Sequence, residues 1–272
     1  MRVSRSLRAT VLLGVMMLSA AGWAAGKCER LIVTGSPDSP PYMWRDPQDP
    51  RHLMGANADL LGQALRELGI DVEFLYGGKR AQAQEEVRSG RMDMLADASL
   101  NTAWLERFDY IHPAATYNEI VVWVRTGTQA DIQAIEDLHS LAGAVSQRTR
   151  LTPEFESVAA GELQLQHTSG LTAALQKLVL GEVDYVLAGR YAAMVLVQTL
   201  GLAATLQALP VVVDKPGFHL ALSFNSACLD PWLHGQLVKK MTESAASGLA
   251  DEAVKRNLDV WKSQLLAPVS KQ

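Results

Sequence analysis

Short runs rich in β-branched and aromatic residues alternate along this chain with longer stretches in which apolar residues recur at helical spacing. RLIVTG predicts a strand ending at Gly35. Asn57 then caps a predicted helix through Leu68, because Leu60, Leu61, Ala64, Leu65 and Leu68 share one helical face. DVEFLY is the next strand, a helix from about Ala81 to Ser89 leads through Gly90 into MDMLAD, and FDYI and IVVWV follow. The second half repeats the habit with GAVSQ, a helix from Pro153, LQLQHT, a helix from Leu171 to Leu180, DYVLAG, a helix from Tyr191, and LPVVV. FHLALSF and two helices, Pro231 to Ser247 and Ala250 to Leu265, close the chain. Strands alternating with helices indicate an α/β fold with mostly parallel sheets.

GRMDMLADA from Gly90 and GEVDYVLAG from Gly181 share a helix end, a glycine, an aspartate and an apolar strand at an offset of 91 residues. Two similar lobes explain this most simply, against a chance likeness of two common strand patterns. Ligands of open α/β sheets sit beyond the carboxyl ends of strands, so Asp97, Ala98 and Ser99 in one half and Gly189 and Arg190 in the other are where function is expected.

The first residues are of another kind. Arg2, Arg5 and Arg8 precede an apolar run from Ala9 to Leu18 and the small-residue stretch SAAGWAAG, the pattern of a secretory signal peptide over residues 1–26. Cleavage after Ala24 or after Gly26 satisfies the small residues required, and Lys27 before Cys28 argues against a lipid anchor on that cysteine. Of the 272 residues, 25 are basic and 29 acidic; removing the leader's three arginines turns a net charge of -4 into -7. That balance, without any Lys/Arg cluster, argues against nucleic acid as a partner. Export makes Cys28 and Cys228 a disulfide in preference to two buried thiols, closing a loop worth about 5 kcal/mol at most in the chain-entropy picture.

The order LIVTGSPDSPPYMW, NADLLGQALRELGIDVEFLY, VRSGRMDMLADASLNTAWLERFDYIHP, VVWVRTG, IEDLHSLAG and GEVDYVLAG resembles the family 3 extracellular solute-binding proteins, the polar-amino-acid receptors of bacterial ABC importers. The resemblance runs from about Leu31 to Leu265. It implies a periplasmic-binding-protein-like fold, two α/β lobes joined by two crossover strands, with a solute in the cleft and hinge closure around it. It further implies a discontinuous lobe 1, residues 27–118 plus 216–272, and lobe 2 over residues 119–215. Both cysteines then fall in lobe 1, where their bridge leaves the hinge free.

In that family a strand-end T-x-T-x-x-R motif grips the ligand's α-carboxylate through its arginine. Aligning FDYIHP with the family's VDFSDP puts Ser99 and Asn101 at the hydroxyl positions and Trp104 in place of the arginine, while a three-residue slip makes Arg107 the anchor instead. The family's second determinant, a carboxylate for the α-ammonium, corresponds to Gly189. In the first of these registers both charged anchors are missing; the slip that would restore Arg107 breaks the FDY match. Arg80 stands where the family often has an aromatic wall and could hold a carboxylate or phosphate, or stack on a ring, against the plainer reading of a solvated charge. Asp97 could pair with a cationic solute or with Arg80, or serve only as a turn residue. Ser146, Arg148 and Thr149 occupy the loop in which the family offers backbone N–H groups to an anion, and Arg190 could contribute beside Gly189.

Tyr42, Trp44, Trp104 and Tyr117 are candidate walls for an apolar or planar solute group; Trp123, Trp232 and Trp261 read as packing. The six histidines show no zinc spacing, and GGK at Gly77 lacks the spacing of a phosphate loop, so neither metal nor cofactor is expected. An enzymatic alternative exists on this fold, since some exported proteins resembling the family are cyclohexadienyl dehydratases. Asp97 or Glu119 would supply the acid there and Arg80 or Arg148 the carboxylate clamp. The expectation is a monomeric periplasmic solute-binding protein serving an ABC permease, or alternatively a membrane signalling partner.

Overall fold

The computed structural model describes residues 28–128 and 132–266; the leader, its cleavage region and Lys27 lie outside them. The first strand, β1 (Arg30–Thr34), is followed by β2 (Asp38–Ser39), β3 (Met43–Arg45) and β4 (Leu53–Met54), which form a small antiparallel sheet. Then come α1 (Ala56–Leu68), β5 (Asp71–Phe74), α2 (Arg80–Arg88), β6 (Met94–Ala98) and β7 (Phe108–Tyr117). The middle of the chain supplies β8 (Ile120–Arg125), β9 (Ala142–Ser146), α3 (Pro153–Glu162), β10 (Gln164–Thr168), α4 (Leu171–Leu180), β11 (Tyr185–Gly189), α5 (Arg190–Thr199) and β12 (Leu206–Asp214). It ends with β13 (Gly217–Ser223), α6 (Pro231–Ser247) and α7 (Leu249–Leu266).

These elements build two lobes, each around a five-stranded sheet, in the orders β5-β1-β6-β13-β7 and β10-β9-β11-β8-β12. In each sheet three parallel strands alternate in sequence with helices, and a fourth strand enters antiparallel beside the central one, β13 against β6 and β8 against β11. The chain passes from the first sheet to the second at Asn118–Glu119 and returns at Lys215–Pro216.

The central strands β6 and β11 are the two similar sequences. Gly90 and Gly181 have φ of 78° and 76°, a left-handed turn from helix into strand that glycine adopts without a Cβ penalty. The aspartates after them repeat one role. Asp93 Oδ2 accepts the Ile32 N–H at 2.8 Å and Asp184 Oδ2 accepts the Ala142 N–H at 2.9 Å, each tying its strand to the parallel neighbour. Every residue of β6 and β11 is buried, as befits strands covered on both faces.

On α1, Leu60, Leu61, Ala64 and Leu65 are buried against the first sheet, each leucine contributing about 1.5–3 kcal/mol. Asn57 is not the cap. Gly55 precedes the helix, and the buried Asn57 side chain donates to the Ala96 carbonyl at 2.7 Å and accepts from Thr116 Oγ1 at 2.6 Å. Strand β7 runs past the expected FDYI through Pro113, which it tolerates because it is the edge strand of its sheet. Cys28 and Cys228 are bonded, with Cα atoms 5.0 Å apart, fastening the start of β1 to the segment before α6.

Candidate functional site

Between the lobes lies a cavity of about 410 Å³. It is reached by the carboxyl ends of β9 and β11, by β2 and the turn after it, the amino end of α2 and the first crossover. Tyr42, Arg80, Arg148, Thr149 and Gly189 all line it, as does Ser146. Asp97 and Ser99 line a small adjoining pocket of about 20 Å³ that shares Arg80 with the main cavity.

Several expected residues are elsewhere. Trp104 belongs to a short turn, Thr102–Trp104, capped by Asn101, and stacks on Phe108 with ring centroids 5.5 Å apart. Arg107 lies over that ring at 5.3 Å, so neither Trp104 nor Arg107 faces either pocket. Arg190 opens α5 and donates from Nε to Glu119 Oε2 at 2.8 Å, joining the helix to the crossover outside the cavity lining. Of the expected walls, Tyr42 is in place. Trp44 is buried packing whose Nε1 donates to Gln264 Oε1 at 2.9 Å, and Tyr117 sits beneath Lys215 at 5.4 Å. Trp261, expected to be packing, lines the cavity with Phe218 because α7 docks along the cleft.

The residue the sequence reading passed over is Arg150. From the loop after β9 in the second lobe it crosses to the first, where Nη1 donates to the Asp97 carbonyl at 2.6 Å and Nη2 to Asp97 Oδ2 at 2.9 Å. Nη2 also donates to Ser36 Oγ, and the guanidinium carbon lies 4.8 Å from the Phe218 ring centroid. Only 8% of the Arg150 side chain and 4% of that of Asp97 are exposed. The available signal was local: R-T-R one residue after an apolar strand places two arginines at the carboxyl edge of a sheet. Asp97 is thus an ion-pair partner, although of Arg150 rather than Arg80. Arg80 Nε instead donates to Ser36 Oγ at 3.3 Å.

The remaining charges facing the cavity are mostly positive. Arg80 stays solvent-accessible, yet the surrounding protein and then the neighbouring Arg150 charge hold its pKa below the ordinary arginine value. Arg148 is exposed, and the amino end of α4, which has no side-chain cap, adds its partial positive charge. Asp38 is the acidic member of the lining. Burial, and then Tyr191 and Glu119, raise the Tyr42 pKa far above that of a free phenol, so Tyr42 is a neutral donor, here to Asn118 Oδ1 at 3.4 Å. Gly189 has a steric reason to lack a side chain: a Cβ there would lie 2.6 Å from Asn118 Oδ1.

The two acids considered for dehydration are both engaged by arginines, Asp97 by Arg150 and Glu119 by Arg190. Among the described residues no group of three or more His, Cys, Asp or Glu side chains is placed to hold a metal ion.

Over residues 55–198 the chain matches the family described as the substrate binding domain of ABC-type glycine betaine transport systems. No curated protein sequence matches it. Among solved structures, substrate binding domain 2 of GlnP from Lactococcus lactis, in an open conformation, superposes with a TM-score of 0.64 at 14% identity, covering 86% of this chain and 97% of its own. The amino acid ABC transporter substrate-binding protein AbpA from Streptococcus pneumoniae, bound to L-arginine, gives 0.58 at 17% identity, covering 85% and 95%. A histidine kinase sensor domain with similarity to periplasmic binding proteins gives 0.61 at 19% identity, covering 85% and 96%. At these identities the likeness is one of fold.

Proposed function

The chain belongs to the family of substrate-binding domains of ABC-type glycine betaine transport systems, and from that premise we propose that it captures a small carboxylate-bearing solute in the interlobe cavity. The observation that carries this reading is the pair Arg80 and Arg148. They reach the same cavity from different lobes, whereas Gly189 offers no acid for an α-ammonium and Asp97 is taken by Arg150. A carboxylate bridging the two arginines joins the lobes, and each charge-assisted hydrogen bond contributes about 1.5–3 kcal/mol. The hinge is formed by the two crossovers, dividing the chain into residues 27–118 plus 216–272 and residues 119–215. The solute's body rests on Tyr42, Trp261 and Leu196, and a volume of about 410 Å³ suits an organic acid or acylated amino acid. Residues 1–26 direct export to the periplasm, where the closed monomer meets an ABC permease; the sensor-domain likeness keeps a signalling partner as the alternative.

A second reading is favoured by the matched family: a betaine. A quaternary ammonium needs aromatic faces instead of an acid, and Tyr42, Phe218 and Trp261 line the cavity. Against it, Phe218 already lies beneath the Arg150 guanidinium, 4.8 Å from its ring centroid, which takes one of those aromatic faces.

Thermal shift across organic acids, aromatic acids, acylated and free amino acids, betaines and polyamines separates these readings. A solute at 100 times its Kd stabilises by about 2.7 kcal/mol, a rise of roughly 5–11 °C at this size. Carboxylates without an ammonium are expected among the stabilising compounds; stabilisation by polyamines alone overturns the reading, and stabilisation by betaines alone selects the second.

A further inference from the structure

We propose that Asp97, Ser36 and Phe218 form a guanidinium-binding subsite on the first lobe, and that Arg150 of the second lobe fills it in place of a solute's cationic group. Arg150 is thereby a specificity determinant that keeps cationic solutes out of the cleft. The inference rests on the cleft being the solute site and takes that reading one step further.

The subsite is built for the end of an alkylguanidinium. A carboxylate oxygen and a main-chain carbonyl, both of Asp97, and the Ser36 hydroxyl accept from the two terminal nitrogens, while the Phe218 face lies against the cation at 4.8 Å. Arg150 Nε is buried and has no partner among the described residues, so the receptor satisfies the tip of the side chain and leaves its stem unserved. The Ser36 N–H donates to Asp97 Oδ1 at 3.1 Å, which orients the carboxylate from within its own lobe whether or not Arg150 is present.

Two further features distinguish this pair from an ordinary structural ion pair. All three of its lobe 1 partners face a guanidinium delivered from the other lobe, so the contact breaks when the cleft opens. Arg150 also lines the main cavity, where a solute's cationic end approaching Asp97 meets a like charge already in place. Buried ion pairs contribute little net stability against their desolvation cost, whereas a like charge in a dry cleft discriminates strongly.

The test compares wild type, Arg150→Ala and Arg150→Ala with Asp97→Asn by calorimetric titration with ethylguanidinium and with L-arginine. Arg150→Ala is expected to bind ethylguanidinium at least tenfold tighter than wild type, and the double variant to lose that gain. Arg150→Gln, which keeps most of the stem, is titrated alongside with the same expected direction and serves if the alanine variant does not fold. An Arg150 that merely supports the structure gives destabilised variants with no gain; that result, or a gain that survives Asp97→Asn, overturns the proposal. Failure of wild type to bind any carboxylate contradicts the preceding function and leaves the guanidinium comparison intact.

Discussion

Replacing Arg80 by alanine separates the charge of the cleft wall from the fold that carries it. Arg80 opens α2, is solvent-accessible, and among the described residues makes one side-chain hydrogen bond, from Nε to Ser36 Oγ at 3.3 Å. Burial and then the like charge of its neighbour Arg150 lower its pKa, so removal relieves some repulsion. The fold is therefore expected to change by no more than about 0.5 kcal/mol, roughly 2 °C in Tm. Binding is another matter. If a carboxylate is held there, about 1.5–3 kcal/mol is lost, a rise in Kd of roughly 10- to 150-fold. Arg80→Lys restores the charge without the planar fork and should fall between the two. Titration calorimetry with the most stabilising carboxylate, repeated across a salt series, reads the effect, and a weaker salt dependence in Arg80→Ala is expected. Affinity within twofold of wild type, with Tm intact, refutes the assignment of Arg80 to the solute.

Three further outcomes follow from the geometry. Replacing both Cys28 and Cys228 by serine frees a 200-residue separation and should cost up to about 5 kcal/mol, lowering Tm by roughly 10–20 °C in a thermal melt while leaving carboxylate affinity unchanged, since both cysteines sit on the first lobe. Gly189→Asp, the substitution that would recreate an acid for an α-ammonium, should destabilise by about 1–3 kcal/mol in denaturant titration, because Asn118 Oδ1 occupies the space at 2.6 Å, and Asn118→Gly should recover most of it. His219 is buried beside His112 with a ring nitrogen 3.2 Å from the Ile111 carbonyl, and burial lowers its pKa below 6.5. The unfolded chain then binds the proton more readily, so this group's contribution is complete above about pH 6.5 and is lost as pH falls from there through the lowered value. A Tm series from pH 8 to 5 should fall less steeply in His219→Gln than in wild type.

The alternation of strands and helices was legible because the buried strands are largely apolar and β6 and β11 are each entered from a helix through a glycine, and the likeness of Gly90–Ala98 to Gly181–Gly189 falls on the central strand of each sheet. Part of the cavity lining was legible too, since Gly189 ends a strand, Arg148 lies two residues beyond one, and Arg80 opens the helix after β5. Other features depend on what packs across the chain. Asn57 looked like a cap because a polar residue precedes the apolar stripe, but its partners are Ala96 and Thr116, distant in sequence. Trp104 inherited a site position from an alignment register, whereas the turn at Thr102–Trp104 directs it onto Phe108. Trp261 sits on an amphipathic helix whose cleft-facing side is set by docking, and Arg150 takes its role from an aspartate 53 residues away on the other lobe.

Native mass spectrometry of the freshly exported protein, with the released solute identified, tests the carboxylate-binding cleft most directly. A bound organic anion, lost in Arg80→Ala, is the predicted result; a co-purified polyamine, arginine or other cation without a carboxylate-dependent contact to Arg80 and Arg148 would contradict it.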